Sequence, residues 1–226
     1  MDAVSLSEQV AKNDRSRGLS YLSLPFAFAL AGVLAMSIDI RIASLFKNGL
    51  PRSFHSLGEF LEICESFGHG YGVTLILIAV VVLDPLKCKI LPWLIAGSLG
   101  SGMIANLLKL TIHRFRPRDF DLTNATVWDT FRTEGADFKG MQSMPSAHTA
   151  TAVGLAVMLS AIYPRGRWYF AVLAILVGLQ RVVTSAHFPS DVCAGAAVGC
   201  LFGMISCLSM KPNPTHAAGV VNGPLP

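Results

Sequence analysis

Residues 90–117 read ILPWLIAGSLGSGMIANLLKLTIHRFRP. The first part, Ile90–Leu108, carries no charge and comes close to the roughly 20 apolar residues that a helix needs to cross a bilayer core. The second part, Lys109–Pro117, packs a lysine, a histidine and two arginines against the end of that run. Ionisable groups beside lipid are expensive, and their default explanation is function.

Outward from this stretch the same grammar recurs. Five more apolar runs are span candidates: Leu19–Ile38, Phe67–Leu83, Ser146–Tyr163, Trp168–Thr184 and Val192–Ser209. Over the 226 residues, 52% are hydrophobic and 14% charged, with mean hydropathy +0.53, which belongs to the multi-pass membrane class. Backbone polar groups in lipid are satisfied within helices, so the expected fold is all-α, a six-transmembrane-helix bundle. Glycines in the third and sixth runs (Gly97, Gly100, Gly102; Gly195, Gly199, Gly203) predict close helix approach. A short helix is expected over Ser53–Phe67, between spans 1 and 2, because Phe54, Leu57, Leu61 and Cys64 recur at helical spacing while Glu59, Glu62 and Glu65 fall elsewhere. It lies either in the membrane interface or against the bundle; both stay open.

The expected organisation is a polar segment over 1–18, one membrane-embedded domain over 19–211, and a disordered tail over 212–226 rich in Pro, Gly and Asn. The first apolar run is too long for a signal-peptide core and ends without a small-residue cleavage site, so it reads as a span. Cys193, Cys200 and Cys207 repeat every seven residues and share a helix face, which suits small packing residues better than a disulfide set or a metal site. The net charge of +4 is mild, and no nucleic-acid motif accompanies it. Basic pairs in the short loops at Lys87–Lys89 and Arg165–Arg167, with Lys12, Arg15 and Arg17, place both termini in the cytoplasm. With six spans, Lys109–Pro117, Pro145–His148 and Arg181–Asp191 then meet at the opposite, extracytoplasmic face. The loop Arg118–Met144 is a lid or a plain connector.

Each cluster has its chemistry. His187 and Asp191 stand four apart across a helix start that Pro189 suits, where a carboxylate would orient an imidazole for attack. His148 follows Pro145 and Ser146 at another helix start, where free N–H groups favour an anion and a histidine could protonate a departing alkoxide. Lys109, Arg116 and Arg181 could converge on phosphoryl oxygens. The plainer alternatives are a His–Asp helix cap, an N-cap serine beside an interfacial histidine, and snorkelling basic side chains.

The pattern Lys109-x6-Arg116-Pro117, Pro145-Ser146-x-His148, Arg181-x5-His187-x3-Asp191 resembles the tripartite signature of the type 2 phosphatidic acid phosphatase superfamily, which includes membrane lipid phosphatases and, more distantly, vanadium haloperoxidases. The resemblance implies a phosphohistidine at His187 held by Asp191, with His148 as acid. It implies phosphate binding by Lys109, Arg116, Ser146, Ala147 and Arg181, with no metal and no cofactor. Two positions depart from the pattern: Ala147 where the family has glycine, and Gln180 where it has serine. The implied activity is hydrolysis of a lipid phosphate or diphosphate at the outer membrane face. Candidate substrates are phosphatidic acid, phosphatidylglycerol phosphate, isoprenyl diphosphates and lipid A phosphates, with no nucleic acid involved. The rival expectations are a non-catalytic lipid-phosphate binder or transporter, and a vanadate-dependent haloperoxidase.

Overall fold

The computed structural model describes residues 22–47, 49, 55–132 and 141–210. The expected polar segment 1–18, the start of the first span, residues 133–140 of the long loop and the tail 212–226 lie outside the described residues.

Eight helices form among the described residues, and no strand. They are α1 (Leu22–Ala35), α2 (Asp39–Phe46), α3 (His55–Glu65), α4 (Gly70–Leu83), α5 (Pro85–Leu108), α6 (Ala147–Ile162), α7 (Arg167–Val183) and α8 (Pro189–Ser209). The all-helical expectation is met. The count of six spans is not reached by length and composition. Pro85–Leu108, Pro164–Val183 and Pro189–Ser209 are each long and apolar enough to cross a membrane. The bent pairs α1–α2 (75°) and α3–α4 (61°) bring the total to five at most, when each pair is counted as one span. The remaining expected span, Ser146–Tyr163, is α6, and its 16 residues fall short. The physical reason is its position. α6 sits in the centre, packed by α5, α7 and α8, and is built largely of Ala, Thr and Gly. At about 1.5 Å per residue it is roughly 24 Å long, less than a bilayer core of about 30 Å.

The contacts around α6 explain the glycines. A Cβ on Gly195 of α8 would run into the carbonyl oxygen of Ser146, and one on Gly154 of α6 into that of Gly97 on α5. Small residues therefore let three helices touch backbone to backbone, which is how helices associate where lipid removes the hydrophobic drive. Gly100 has no such neighbour. α5 is irregular at this crossing: a tight turn at Pro85–Ile90 leads in, and a wide π-type turn runs through Ala96–Gly100 before Ser101–Leu108. Val73, Leu77, Leu94, Leu155, Met158 and Val177 fill the interior. Phe26, Leu75, Leu83, Trp168, Ile175 and Leu208 are exposed on the outside, as a molecule solvated by lipid requires.

The short helix expected over Ser53–Phe67 is α3, and it packs along α7. Helix α2 was not anticipated; Asp39 and Arg41 interrupt the apolar pattern there. The loop after α5 is pinned rather than loose. Phe115 N–H donates to Thr130 O (2.9 Å), Arg132 N–H to His113 O (3.0 Å), and Ser143 N–H to Arg114 O (3.1 Å). Residues 113–115 thus lie between both described arms of the loop.

Candidate active site

Four chain segments deliver the motif residues to one place. Lys109 caps the C-terminus of α5, and Arg116 follows in the pinned segment. His148 lies in the first turn of α6, whose N-cap Ser146 accepts hydrogen bonds from Thr149 N (3.5 Å) and Thr149 Oγ1 (3.0 Å). Arg181 ends α7. His187 precedes α8, which starts at Pro189 and is capped by Asp191 accepting from Phe188 N–H (2.8 Å).

Lys109, Arg116, His148, Arg181 and His187 all line one cavity of about 430 Å³, with Ala147 on its wall. Asn106, Arg118, Gln142 and Thr184, which the sequence reading did not select, line it too. Ser146 and Asp191 are fully buried and stand outside the lining, beneath it. Two buried nitrogens in this region, Arg116 Nε and His187 Nδ1, have no hydrogen-bond partner among the described residues. Unpaired buried donors are costly unless a ligand or water completes them.

The electrostatics follow from burial. Lys109 is pushed down to about 8, first by burial, then by the neighbouring Arg116 and Arg181 charges, with Asp191 opposing. Arg116 is lowered by burial and by Arg118. Burial also lowers His187, against the pull of Asp191, so its imidazole is neutral at neutral pH and keeps a lone pair for attack.

Asp191 does not make a direct hydrogen bond to His187; Oδ2 lies 3.8 Å from Nδ1. Its carboxylate is committed elsewhere. Oδ2 accepts from Ser143 Oγ (2.6 Å) as well as Phe188 N–H, and Oδ1 pairs with Arg114 Nη1 (2.5 Å). Arg114 is wholly buried. It also pairs with Asp39 through Nη2 (2.6 Å), donates to Ser190 Oγ (2.7 Å) and Thr130 Oγ1 (3.1 Å), and lies between the rings of Phe131 and Phe188. Ser190 Oγ donates in turn to Asp39. This buried Asp39–Arg114–Asp191 chain ties α2, the pinned loop and α8 together behind His187. In the sequence this chain is inconspicuous, because Arg114 is one base among several and Asp39 a lone acid. The signal was a carboxylate at the end of an apolar run, where charge is costly.

Both motif departures find a place. Ala147 sits inside α6 and not among the described non-glycine residues with positive φ, so no glycine is required there. Gln180 is not part of the cavity lining and contacts Arg181 and Glu65. Ser185, between Arg181 and His187, does adopt the left-handed region (φ 51°), a conformation that costs of order 1 kcal/mol or more and collects at functional sites.

Residues 91–214 match the model of the PAP2 superfamily. A lipid A 1-phosphatase of Rhizobium johnstonii is 36% identical over 108 residues, 48% of this chain and 43% of that protein. The chain thus spans less than half the length of this relative. A decaprenylphosphoryl-5-phosphoribose phosphatase of Mycobacterium tuberculosis is 26% identical over 176 residues, 77% of this chain and 88% of that protein. In fold, the chain is similar to the crystal structure of a transmembrane PAP2 type phosphatidylglycerolphosphate phosphatase from Bacillus subtilis. The TM-score is 0.59 and the identity 18%, over 88% of this chain and 98% of the other. The family match takes in more than half of the chain and every residue that lines the cavity, and the chain belongs to the PAP2 superfamily.

Proposed function

We propose that this protein is an integral-membrane, metal-independent phosphatase of lipid phosphates or diphosphates that works through a phosphohistidine. The observation that carries the proposal is the gathering of two histidines and four cations, Lys109, Arg116, Arg118 and Arg181, around one cavity of about 430 Å³. Lys109, Arg116 and Arg181 bind the phosphoryl oxygens, and the free N–H groups at the start of α6 add a neutral anion cradle. His187 Nε2 attacks phosphorus while Nδ1–H faces Asp191. The P–N bond forms as the P–O bond to the lipid breaks, and His148 gives its proton to the leaving oxygen. Water then attacks phosphorus, its proton passes to His148, the P–N bond breaks and inorganic phosphate departs. A second cavity of about 300 Å³ adjoins the first and shares Asn106, Ala147 and His148 with it. The leaving alcohol would lie there, with the acid between the two.

Purified protein in detergent should release phosphate from at least one of phosphatidic acid, an isoprenyl diphosphate or a lipid A phosphate, with EDTA present. KM should rise as pH passes about 8, because Lys109 loses its proton there and phosphate loses a cation; Lys109→Arg should move that rise upward. Binding without release across the panel would favour the non-catalytic binder. A strict metal requirement, or KM flat through that range, would count against the mechanism.

The similarity to the phosphatases above supports a lipid phosphate as substrate. The dense basic loops at Lys87–Lys89 and Arg165–Arg167 support a cytoplasmic N-terminus and a cavity that opens to the outside. In a variant freed of its five cysteines, Thr123→Cys should react with an impermeant thiol reagent on intact cells. A variant keeping only Cys88, exposed in the opposite loop, should react after lysis alone. The reverse pattern would invert the orientation.

A further inference from the structure

The turn that joins α3 to α4 brings a carboxylate to the edge of the site. Glu65, the last residue of α3, sets Oε1 2.9 Å from Arg181 Nη1 and 3.3 Å from His148 Nε2. Its Oε2 accepts a hydrogen bond from Gln180 Nε2 at 3.0 Å. Gln180 is buried, and its Oε1 accepts from Arg181 Nε at 2.6 Å. Glu65, Gln180 and Arg181 therefore close a ring, and His148 is attached to it through the same oxygen that holds Arg181.

The backbone holds this arrangement in place. A Cβ on Gly68 would come within 2.5 Å of the His148 carbonyl oxygen and 2.8 Å of Val177 Cγ1. The turn after Glu65 is thus pressed onto the starts of α6 and the middle of α7, too close for any side chain at that position. The His69 ring follows at 5.5 Å from the His148 ring. The other titratable groups that face His148 are Lys109 at the end of α5, Arg181 on α7, His187 before α8 and His69 in the turn. All are cations or imidazoles. A histidine that must carry a proton in such company needs an anion, and Glu65 is the carboxylate in contact with it.

We infer that Glu65 is a positioning residue for the acid step: its carboxylate holds Nε2 of His148, so that Nδ1 carries the proton given to the leaving oxygen. The inference rests on the proposed phosphatase function and adds a second side chain to its acid. In the imidazolium both nitrogens bear hydrogen. Nε2–H stays on Glu65 while Nδ1–H passes to the alkoxide as the P–O bond breaks. The neutral ring then keeps Nε2–H on Glu65 and offers the Nδ1 lone pair to the water that attacks the phosphohistidine. The same carboxylate aligns Arg181, and Gln180 completes the clamp on that guanidinium. A helix lying outside the three motif segments thereby enters the chemistry.

The test compares wild type, Glu65→Gln and Glu65→Asp on two substrates in detergent micelles: phosphatidic acid, whose alkoxide needs a proton to leave, and p-nitrophenyl phosphate, whose phenolate does not. Misplacing an acid removes part of the roughly 10²–10⁴-fold that such catalysis contributes. Glu65→Gln should lower kcat on phosphatidic acid about 30-fold or more, with KM within about threefold. With enzyme in excess over p-nitrophenyl phosphate, the single-turnover release of p-nitrophenolate, which precedes the water step, should fall less than about threefold, which also shows that the variant is folded. Glu65→Asp, which keeps the charge, should recover part of the loss. Equal losses in single-turnover release of the leaving group from the two substrates would overturn the inference. So would a lower KM with kcat kept, since the carboxylate would then be a competitor of phosphate for Arg181. No phosphate release by wild type from these two substrates, an isoprenyl diphosphate or a lipid A phosphate would sink the phosphatase proposal itself.

Discussion

His187→Ala should lower phosphate release by at least about 10⁴-fold, while affinity for the lipid phosphate stays within a few-fold. The proposed route passes through a P–N bond, and alanine offers no atom to form it. The groups proposed to bind phosphate are untouched: Lys109, Arg116 and Arg181 still line the cavity. Neither does the change remove a hydrogen bond from Nδ1, which has no partner among the described residues, and Asp191 is held by Ser143, Phe188 N–H and Arg114. Phosphate release and equilibrium binding of the same lipid phosphate, measured side by side, separate turnover from affinity. Wild-type enzyme quenched in base during turnover should also retain covalent phosphate, because a phosphoramidate survives base and is cleaved by acid. Residual activity within about tenfold of wild type would reject His187 as nucleophile.

The second large effect lies on stability. Arg114→Met should destabilise the fold by about 3–5 kcal/mol, because it leaves Asp39 and Asp191 buried without the cation between them. Methionine replaces much of the stem and keeps contact with Phe131 and Phe188, so the loss is one of charge rather than volume. Adding Asp39→Asn should recover part of it by removing one of the two stranded charges. Thermal unfolding in detergent reads both variants. A single variant that melts with wild type would show that the buried chain contributes little.

The three motif segments were legible because their residue types are expensive beside lipid and their spacing matches helix starts and ends. Lys109, Arg116, His148, Arg181 and His187 do line one cavity. What stayed hidden were partners that come from far along the chain. Glu65 looked like a residue on the polar side of an amphipathic helix, and only the 61° bend between α3 and α4 with the packing of α3 on α7 turns it toward His148. Asp39 meets Arg114 from another bent pair. A bend is set by tertiary contacts, and hydrophobic periodicity does not record it. The same limit explains the span count. Periodicity sees an apolar run at Ser146–Tyr163, but not that the helix formed there is enclosed by its neighbours and short.

The starts of α6 and α8 rest directly on each other. Ser146 N–H donates to the Asp191 carbonyl at 3.0 Å, and Gly195 admits the Ser146 carbonyl against its Cα. The separation between His148 and His187 is therefore inherited from a joint between two rods rather than from the length of any connector. Changes in residues 118–129, which lie outside that joint, can reshape what the cavity admits while the two imidazoles keep their distance. Such a construction lets reactivity and substrate choice evolve on separate parts of one chain.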